Sequence, residues 1–427
     1  MLGYRQAVLL VALAAPLLVA ASSGSAPPPT VAVPEPSELA LQWYRTGLVV
    51  WIAGIVWGIA APGLIFATGL SARLRDAARR IGSRFFFTVA SYGLLFGVVA
   101  FALDLPLSVY VSFLRPHAYG LSNQSLVKWF SDEGTSLAVS SVVLVATLWV
   151  PYALVRWSPR RWWLWTSGLC LPFVLFVTLV QPVWVAPLYN DFGPMKDRAL
   201  EQRILGLAER AGIEGGRVYE VAKSVDTKMV NAYVNGLGAT KRIVLWDTLL
   251  AKLEPEEVLA VMGHEMGHYV LNHVLLSALG ASLGILVLLY AVHRTAPALL
   301  LRLAPWSGVR ELGDVASLPL VLVLIQLYGL VLSPVGLALS RTLEHDADRF
   351  ALEITQDNHA MATAFAKLQT ENLGNPWPDS WVVWLRYTHP PLGERIGFAN
   401  DYRPWASGAP LRYADHFRRS DGDLTPP

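Results

Sequence analysis

Cysteine is almost missing from this chain: Cys170 is the single one among 427 residues. No internal disulfide can form and no thiolate zinc cluster can be assembled, and its apolar neighbourhood suits a small buried hydrophobe. Charge is scarce as well. Only 15% of the residues are Asp, Glu, Lys or Arg, where a soluble protein carries about a quarter. A net charge of +2 also lacks the strong basic footprint that holds nucleic acid. Apolar residues take up the difference, with 54% hydrophobic content and a mean hydropathy of +0.41. Long apolar segments explain this balance better than one oversized core, so the chain reads as an integral membrane protein in contact with the bilayer.

The N-terminus supplies one basic residue, Arg5, then an apolar stretch of signal-peptide length, small residues, and a Pro-rich run from Pro27 to Pro36. Residues 1–26 fit a cleaved signal peptide and a retained first transmembrane helix equally well. Longer apolar segments lie near 47–70, 85–113, 135–156, 162–188, 274–292 and 317–340. Each is long enough to cross a hydrocarbon core of about 30 Å. Asp104, within the second, is expensive against lipid and is expected to face a wet cavity or the interface. Arg73, Arg75, Arg79, Arg80 and Arg84 follow the first of these segments. Arg156, Arg160 and Arg161 follow the third, and Arg294, Arg302 and Arg310 the fifth, whereas residues 114–133 carry only Arg115 and Lys128. The positive-inside rule makes the arginine-rich loops cytoplasmic, which places 189–273 and the C-terminal region outside.

The strongest motif is His264-Glu265-Met266-Gly267-His268, within VLAVMGHEMGHYVLNH. Two histidines four apart on a helix project from one face, a spacing that lets both imidazoles hold one zinc. Glu265 is turned by about 100° from His264 and can reach an attacking water without being a ligand. Pro255 suits the first helical position, and Glu254, Glu256 and Glu257 complement the helix dipole.

A catalytic zinc needs a third protein ligand and an open position. The metzincin continuation is excluded, because Leu271 and Val274 stand where it requires Gly and His. His273, five residues past His268, points to another helix face and reads as a surface or interface histidine. A carboxylate from SRTLEHDADRFAL is the alternative: Glu344 and Asp348 share one helix face. Glu344 can complete a His₂Glu set, with Asp348 holding an imidazole N–H or exchanging a proton. On spacing alone, a solvated charged face is also open.

GHEMGHYVLNH, SRTLEHDADRFAL, NAYVNGLGATKRIVLWDTLL and YTHPPLGERI closely resemble the type I CAAX prenyl proteases, gluzincin-type membrane zinc metallopeptidases of which this looks like a bacterial-like member. The likeness extends to LPLSVYVSFLRPHAYGLSNQS, VAPLYNDFGPMKDRAL and ENLGNPWPDSWVVW, and so spans about residues 40 to 400. It implies one Zn²⁺ per chain held by His264, His268 and Glu344, with Glu265 as general base and Asp348 as proton donor or orienting acid. It further implies that Asn231, Ala232 and Tyr233 form a strand holding extended substrate, and that His389 and Arg395 stabilise an oxyanion. Where the family often has Glu-Phe-Gln-Ala-Asp, this chain has Glu344-His345-Asp346-Ala347-Asp348.

The fold class expected is mainly α: a polytopic membrane protein of about seven transmembrane helices enclosing a chamber, capped by a small α+β zinc-metalloprotease domain. Its parts are expected at 1–26 (signal or first span), 27–188 (N-terminal membrane domain), 189–273 (protease domain), 274–340 (two further spans), 341–400 (third ligand) and 401–427 (a poorly ordered tail). The expected activity is metalloendopeptidase cleavage of peptides and of amphipathic or membrane-associated segments, prenylated ones included. The expected setting is a bacterial cell membrane with the protease domain extracytoplasmic, without nucleic acid or an obligate protein partner. A catalytically silent membrane chaperone and a metal-bearing transporter are the rival classes. Stoichiometric zinc without cleavage of any peptide marks the first, ion flux in liposomes the second.

Overall fold

The computed structural model describes residues 29–215, 217–236 and 242–418. Among the described residues, six helices are long and apolar enough to cross a membrane: Glu38–Ala67, Phe85–Ala118, Leu126–Trp157, Trp162–Leu188, His273–Ser307 and Val315–Thr355. The sequence leads to about seven, but the additional one, residues 1–26, lies outside the described residues. The spans start earlier or run on past the apolar windows because polar residues complete their end turns. Ser37, for example, caps the first by accepting from the Ala40 amide at 3.1 Å. Asp104 is exposed and accepts a 2.7 Å bond from Trp57 Nε1 on the first span.

In chain order the labels are α1 (Glu38–Ala67), α2 (Leu70–Ile81), α3 (Phe85–Ala118), α4 (Leu126–Trp157) and α5 (Trp162–Leu188). The arginine-bearing α2 lies at one end of the bundle. There Ala78 packs with Tyr92, Tyr152, Val315 and Leu318 in a buried cluster, and Ser71 Oγ bonds Tyr92 Oη and the Ala316 carbonyl, each at 2.7 Å.

Beyond α5 comes a four-stranded sheet of β1 (Phe192–Pro194), β2 (Arg217–Val221), β3 (Ala232–Asn235) and β4 (Arg242–Trp246), in spatial order β1-β2-β4-β3. Only β2–β4 is parallel, with Tyr219 opposite Val244. The crossover brings β3 to an edge, paired antiparallel with β4 through Tyr233 and Val244. Helix α6 (Arg198–Arg210) is capped by Asp197 and buries Leu200, Ile204 and Leu207 against the sheet.

The motif helix α7 (Pro255–Val270) starts at a capping box between Glu254 and Glu257 with Pro255 at its first position. It ends at Asn272, whose φ of 57° turns the chain sharply into α8 (His273–Ser307). Helix α9 (Leu318–Thr355) is continuous for 38 residues, so the break expected at residue 340 falls inside one helix. It enters among the α2 residues and carries Glu344 roughly 39 Å farther on, at 1.5 Å per residue. Helices α10 (Asn358–Glu371), α11 (Ser380–Arg386) and α12 (Leu392–Asp401) close the domain.

Both flanks are docked on this domain. Asn400 exchanges 2.9 Å bonds with the Val31 amide and carbonyl, and Gln369 Nε2 donates to the Pro34 carbonyl at 2.7 Å. The expected poorly ordered tail is packed as far as residue 418. Tyr413 is 7% exposed against Phe350, and the amides of Arg412 and Tyr413 bond the buried Glu353 carboxylate at 2.9 and 2.7 Å. A buried acid that needs donors explains why this polar stretch is held.

Candidate active site

Two glycines let the two site helices approach. A Cβ on Gly267 would stand 3.1 Å from Ala347 Cα, and one on Gly263 would stand 3.3 Å from Ala351 Cα. With α7 and α9 this close, His264, His268 and Glu344 offer ligand atoms all within 4.8 Å of one another. His264 Nε2 lies 3.1 Å from His268 Nε2 and 3.3 Å from Glu344 Oε2, and His268 Nε2 lies 3.3 Å from Glu344 Oε1. Ligands at zinc's 2.0–2.1 Å in a tetrahedron stand roughly 3.3 Å apart, so the spacing fits. The donor set fits too. Glu344 Oε2 is buried without a hydrogen-bond partner among the described residues, and two imidazole nitrogens face each other where a cation would satisfy both.

The other ring nitrogens are tied down. His264 Nδ1 bonds Asp348 Oδ1 at 2.7 Å. Asp348 is fully buried and gripped by Arg395, Nε to Oδ2 at 2.8 Å and Nη2 to Oδ1 at 2.6 Å. Arg395 is thus joined to Asp348 first, with Glu344 Oε2 a more distant 3.9 Å away. His268 Nδ1 lies 2.9 Å from His273 Nδ1. His273, read from its spacing as a surface or interface residue, is 4% exposed. The αL turn at Asn272 swings it back over α7, which helix periodicity could not show.

Glu265 faces the edge strand, and the Val234 amide donates to its Oε2 at 3.4 Å. Burial pushes its carboxyl up from the ordinary range, while His264 and His268 pull the other way. His389 is half exposed, with Nε2 3.3 Å from Glu344 Oε2 and Nδ1 2.8 Å from Thr388 Oγ1. Of the strand triplet, Asn231 is exposed and lines the adjoining cavity, Ala232 is buried, and Tyr233 is half-buried. The outward amides of β3 bond side chains instead of a strand: Ala232 to Asn231 Oδ1 at 2.9 Å, Val234 to Glu265. Val234 and Asn372 lie in stretches that the motif reading singles out, but their own parts in the site escape it. The first acts through its backbone. The second braces Val230 N and O, at 2.9 and 3.1 Å, from 142 residues away.

Residues 194–403 match the model of peptidase family M48, and residues 48–191 match that of the CAAX prenyl protease N-terminal domain with five membrane helices. An uncharacterized metalloprotease of Bacillus subtilis, YhfN, is 33% identical over 86% of each chain. The chain belongs to peptidase family M48. A CAAX prenyl protease 1 homolog of Dictyostelium discoideum is 30% identical over 70% of this chain and 69% of its own. CAAX prenyl protease 1 of Saccharomyces cerevisiae is 28% identical over 69% and 68%. The fold matches the crystal structure of S. mikatae Ste24p with a TM-score of 0.72 at 23% identity, over 85% of this chain and 87% of that one. M48 membership makes this protein a peptidase, and its helices make it an integral membrane metallopeptidase. Peptidases of the family are zinc-dependent in general, and the His264–His268–Glu344 set is where this chain could hold an ion.

Proposed function

We propose that this chain is a zinc metalloendopeptidase that cuts extended peptide segments laid along β3. The observation that supports it most is the convergence of His264, His268 and Glu344, with Glu265 beside them and the edge of β3 alongside. Zinc bound there supplies a Lewis acid that polarises the scissile carbonyl and acidifies water.

The protein side chains do the rest. The outward groups of β3 accept a peptide as an added strand once the Ala232 and Val234 amides exchange Asn231 Oδ1 and Glu265 for it, and the released Asn231 side chain steadies the peptide backbone. Glu265, with a carboxyl raised by burial, takes the proton of the attacking water and returns it to the leaving amine. His389 donates to the developing oxyanion. Arg395 acts through Asp348, which fixes the His264 tautomer and holds its Nε2 toward the ligand set. His268 gets the same service from His273.

Substrates are peptides and amphipathic or membrane-associated segments, reached from the membrane side. The protease domain lies on the extracytoplasmic side of a bacterial membrane. The arginine-rich α2 at the opposite end of α9 supports this orientation, as does docking of residues 31–34 on the protease domain. The deciding experiment is Glu265→Gln: it should retain one zinc per chain and lose cleavage of every peptide. Cleavage at the wild-type rate overturns the mechanism.

A further inference from the structure

Three tryptophans stand clear of the protein on one short stretch near His389. Trp377, Trp381 and Trp384 are 59%, 49% and 65% exposed. Their indole nitrogens bond no described residue, whereas those of Trp57, Trp129 and Trp162 each donate to a neighbouring side chain. Asp379 is the single charged residue between Trp377 and Trp384, and its carboxylate accepts from the Tyr44 hydroxyl at 3.1 Å.

The stretch is held from three sides. Helix α11 buries Val382, and Arg341 of α9 donates to the Val383 and Tyr387 carbonyls at 3.0 and 2.9 Å. Tyr44 of α1 ties its entry through Asp379. The Trp377 ring lies so close to α12 that a Cβ on Gly393 would stand 2.6 Å from it. Arg386, Tyr387 and His389 line a cavity of about 930 Å³, and none of the three tryptophans does. Helix α11 is therefore a wall, with the cavity on one side and the tryptophans on the other.

The two spans that hold α11 say what lies outside it. Ile65 of α1 and Leu318 of α9 belong to one buried cluster at the α2 end. Counted from there, Tyr44 and Arg341 stand roughly 32 and 35 Å along their helices at 1.5 Å per residue. A hydrocarbon core is about 30 Å thick, so each span independently delivers α11 to the far boundary of the bilayer. At the level just below, the spans expose Val49 and Ile52 on α1, and Val335 and Leu339 on α9. Tryptophan suits that boundary, because its ring meets acyl chains while its N–H meets headgroups. We propose that Trp377, Trp381 and Trp384 form a docking surface for the surrounding lipid, seating α11 in the headgroup–acyl boundary so that the bilayer backs the cavity wall. The occupant is lipid rather than another protein because two spans set the level and the indole N–H groups are left without protein partners. This gives a role to NPWPDSWVVW, which holds no zinc-site residue, and it stands apart from the peptidase reading.

The test places one fluorophore on α11. In a Cys170→Ser background, Ser380→Cys keeps all three tryptophans and Trp384→Cys replaces one. Each is labelled with an environment-sensitive dye, and the full-length protein is reconstituted in vesicles of phosphatidylcholine and phosphatidylglycerol. Nitroxides are carried either high on the lipid acyl chain or at its end. Both labels should emit blue-shifted light and lose most of it to the high nitroxide and little to the deep one, as fits a face seated about 5–10 Å into the boundary. A label at Glu209→Cys should lose none, since its neighbour Arg210 bonds the Ile354 carbonyl far along α9. Adding Trp381→Gln and Trp384→Gln together should reduce the loss at the Ser380→Cys label. Water-like emission at both α11 positions, untouched by either nitroxide, overturns the proposal and leaves the face to solvent or a soluble partner. Shielding that fades as excess lipid dilutes the protein assigns the face to a second copy and overturns it too. Unchanged quenching in the double tryptophan variant overturns the tryptophans as the docking surface.

Discussion

His268 and His273 meet nitrogen to nitrogen, Nδ1 to Nδ1, at 2.9 Å. With zinc on His268 Nε2, which faces Glu344 and His264, its Nδ1 would carry the proton and donate to His273. The first residue of a membrane-spanning helix thereby orients a proposed zinc ligand. His273→Leu should weaken zinc affinity by roughly 10–100-fold in a chelator competition. His273→Asn, whose Oδ1 can stand where Nδ1 stands, should recover most of it. Equal affinity in all three proteins removes His273 from the site.

Asp348 should matter for stability as well as geometry. Asp348→Ala strands the buried Arg395, and breaking such a pair costs about 3–5 kcal/mol. Thermal unfolding of the detergent-solubilised protein should show a clear drop, and adding Arg395→Met should restore part of it. A double variant no more stable than Asp348→Ala would argue against the pair as the cause.

The approach of α7 to α9 depends on Gly267. Gly267→Val puts branched carbon against Ala347 Cα and Phe350 Cβ, where a first carbon would already stand at 3.1 Å. Overpacking of this kind costs about 1–3 kcal/mol, and here it also separates His268 from Glu344. Bound zinc per chain should fall along with the melting temperature. Full zinc content in a destabilised protein would show that the ligands tolerate the separation.

Metal removal should act on the protease domain rather than on the spans. A chelator should abolish cleavage and lower the melting temperature by a few degrees, since a ligand bound only by the folded state stabilises it by mass action. Added zinc should reverse both, whereas activity that survives complete removal contradicts a metallopeptidase.

Orientation has its own measurement. A reporter fused after the last residue should be active only outside the cytoplasm, because the C-terminal segment packs on the protease domain through Tyr413. A cytoplasmic signal reverses the topology.

The chemistry was legible early because it is local. Four-residue spacing fixes two imidazoles on one helix face, and a run of about 20 apolar residues announces a span, whatever else the chain does. Glu344 and Asp348 were legible as a helix-face pair, but only the meeting of α7 and α9 makes one a partner of His268 and the other a partner of His264. That meeting follows from glycines whose missing side chains matter only when a second helix arrives.

Contacts across long sequence separations stayed hidden. Arg395 pairs with Asp348 rather than standing free, Asn372 braces Val230, and the αL turn at Asn272 buries His273. The sequence alone determined the membrane character and the placement of His264, Glu265 and His268 along one helix, since each depends on residue type and helical period. Tertiary structure alone decided how the imidazoles are held and which strand edge faces Glu265. Those are relations between elements, set by packing and by the need to pair buried charge.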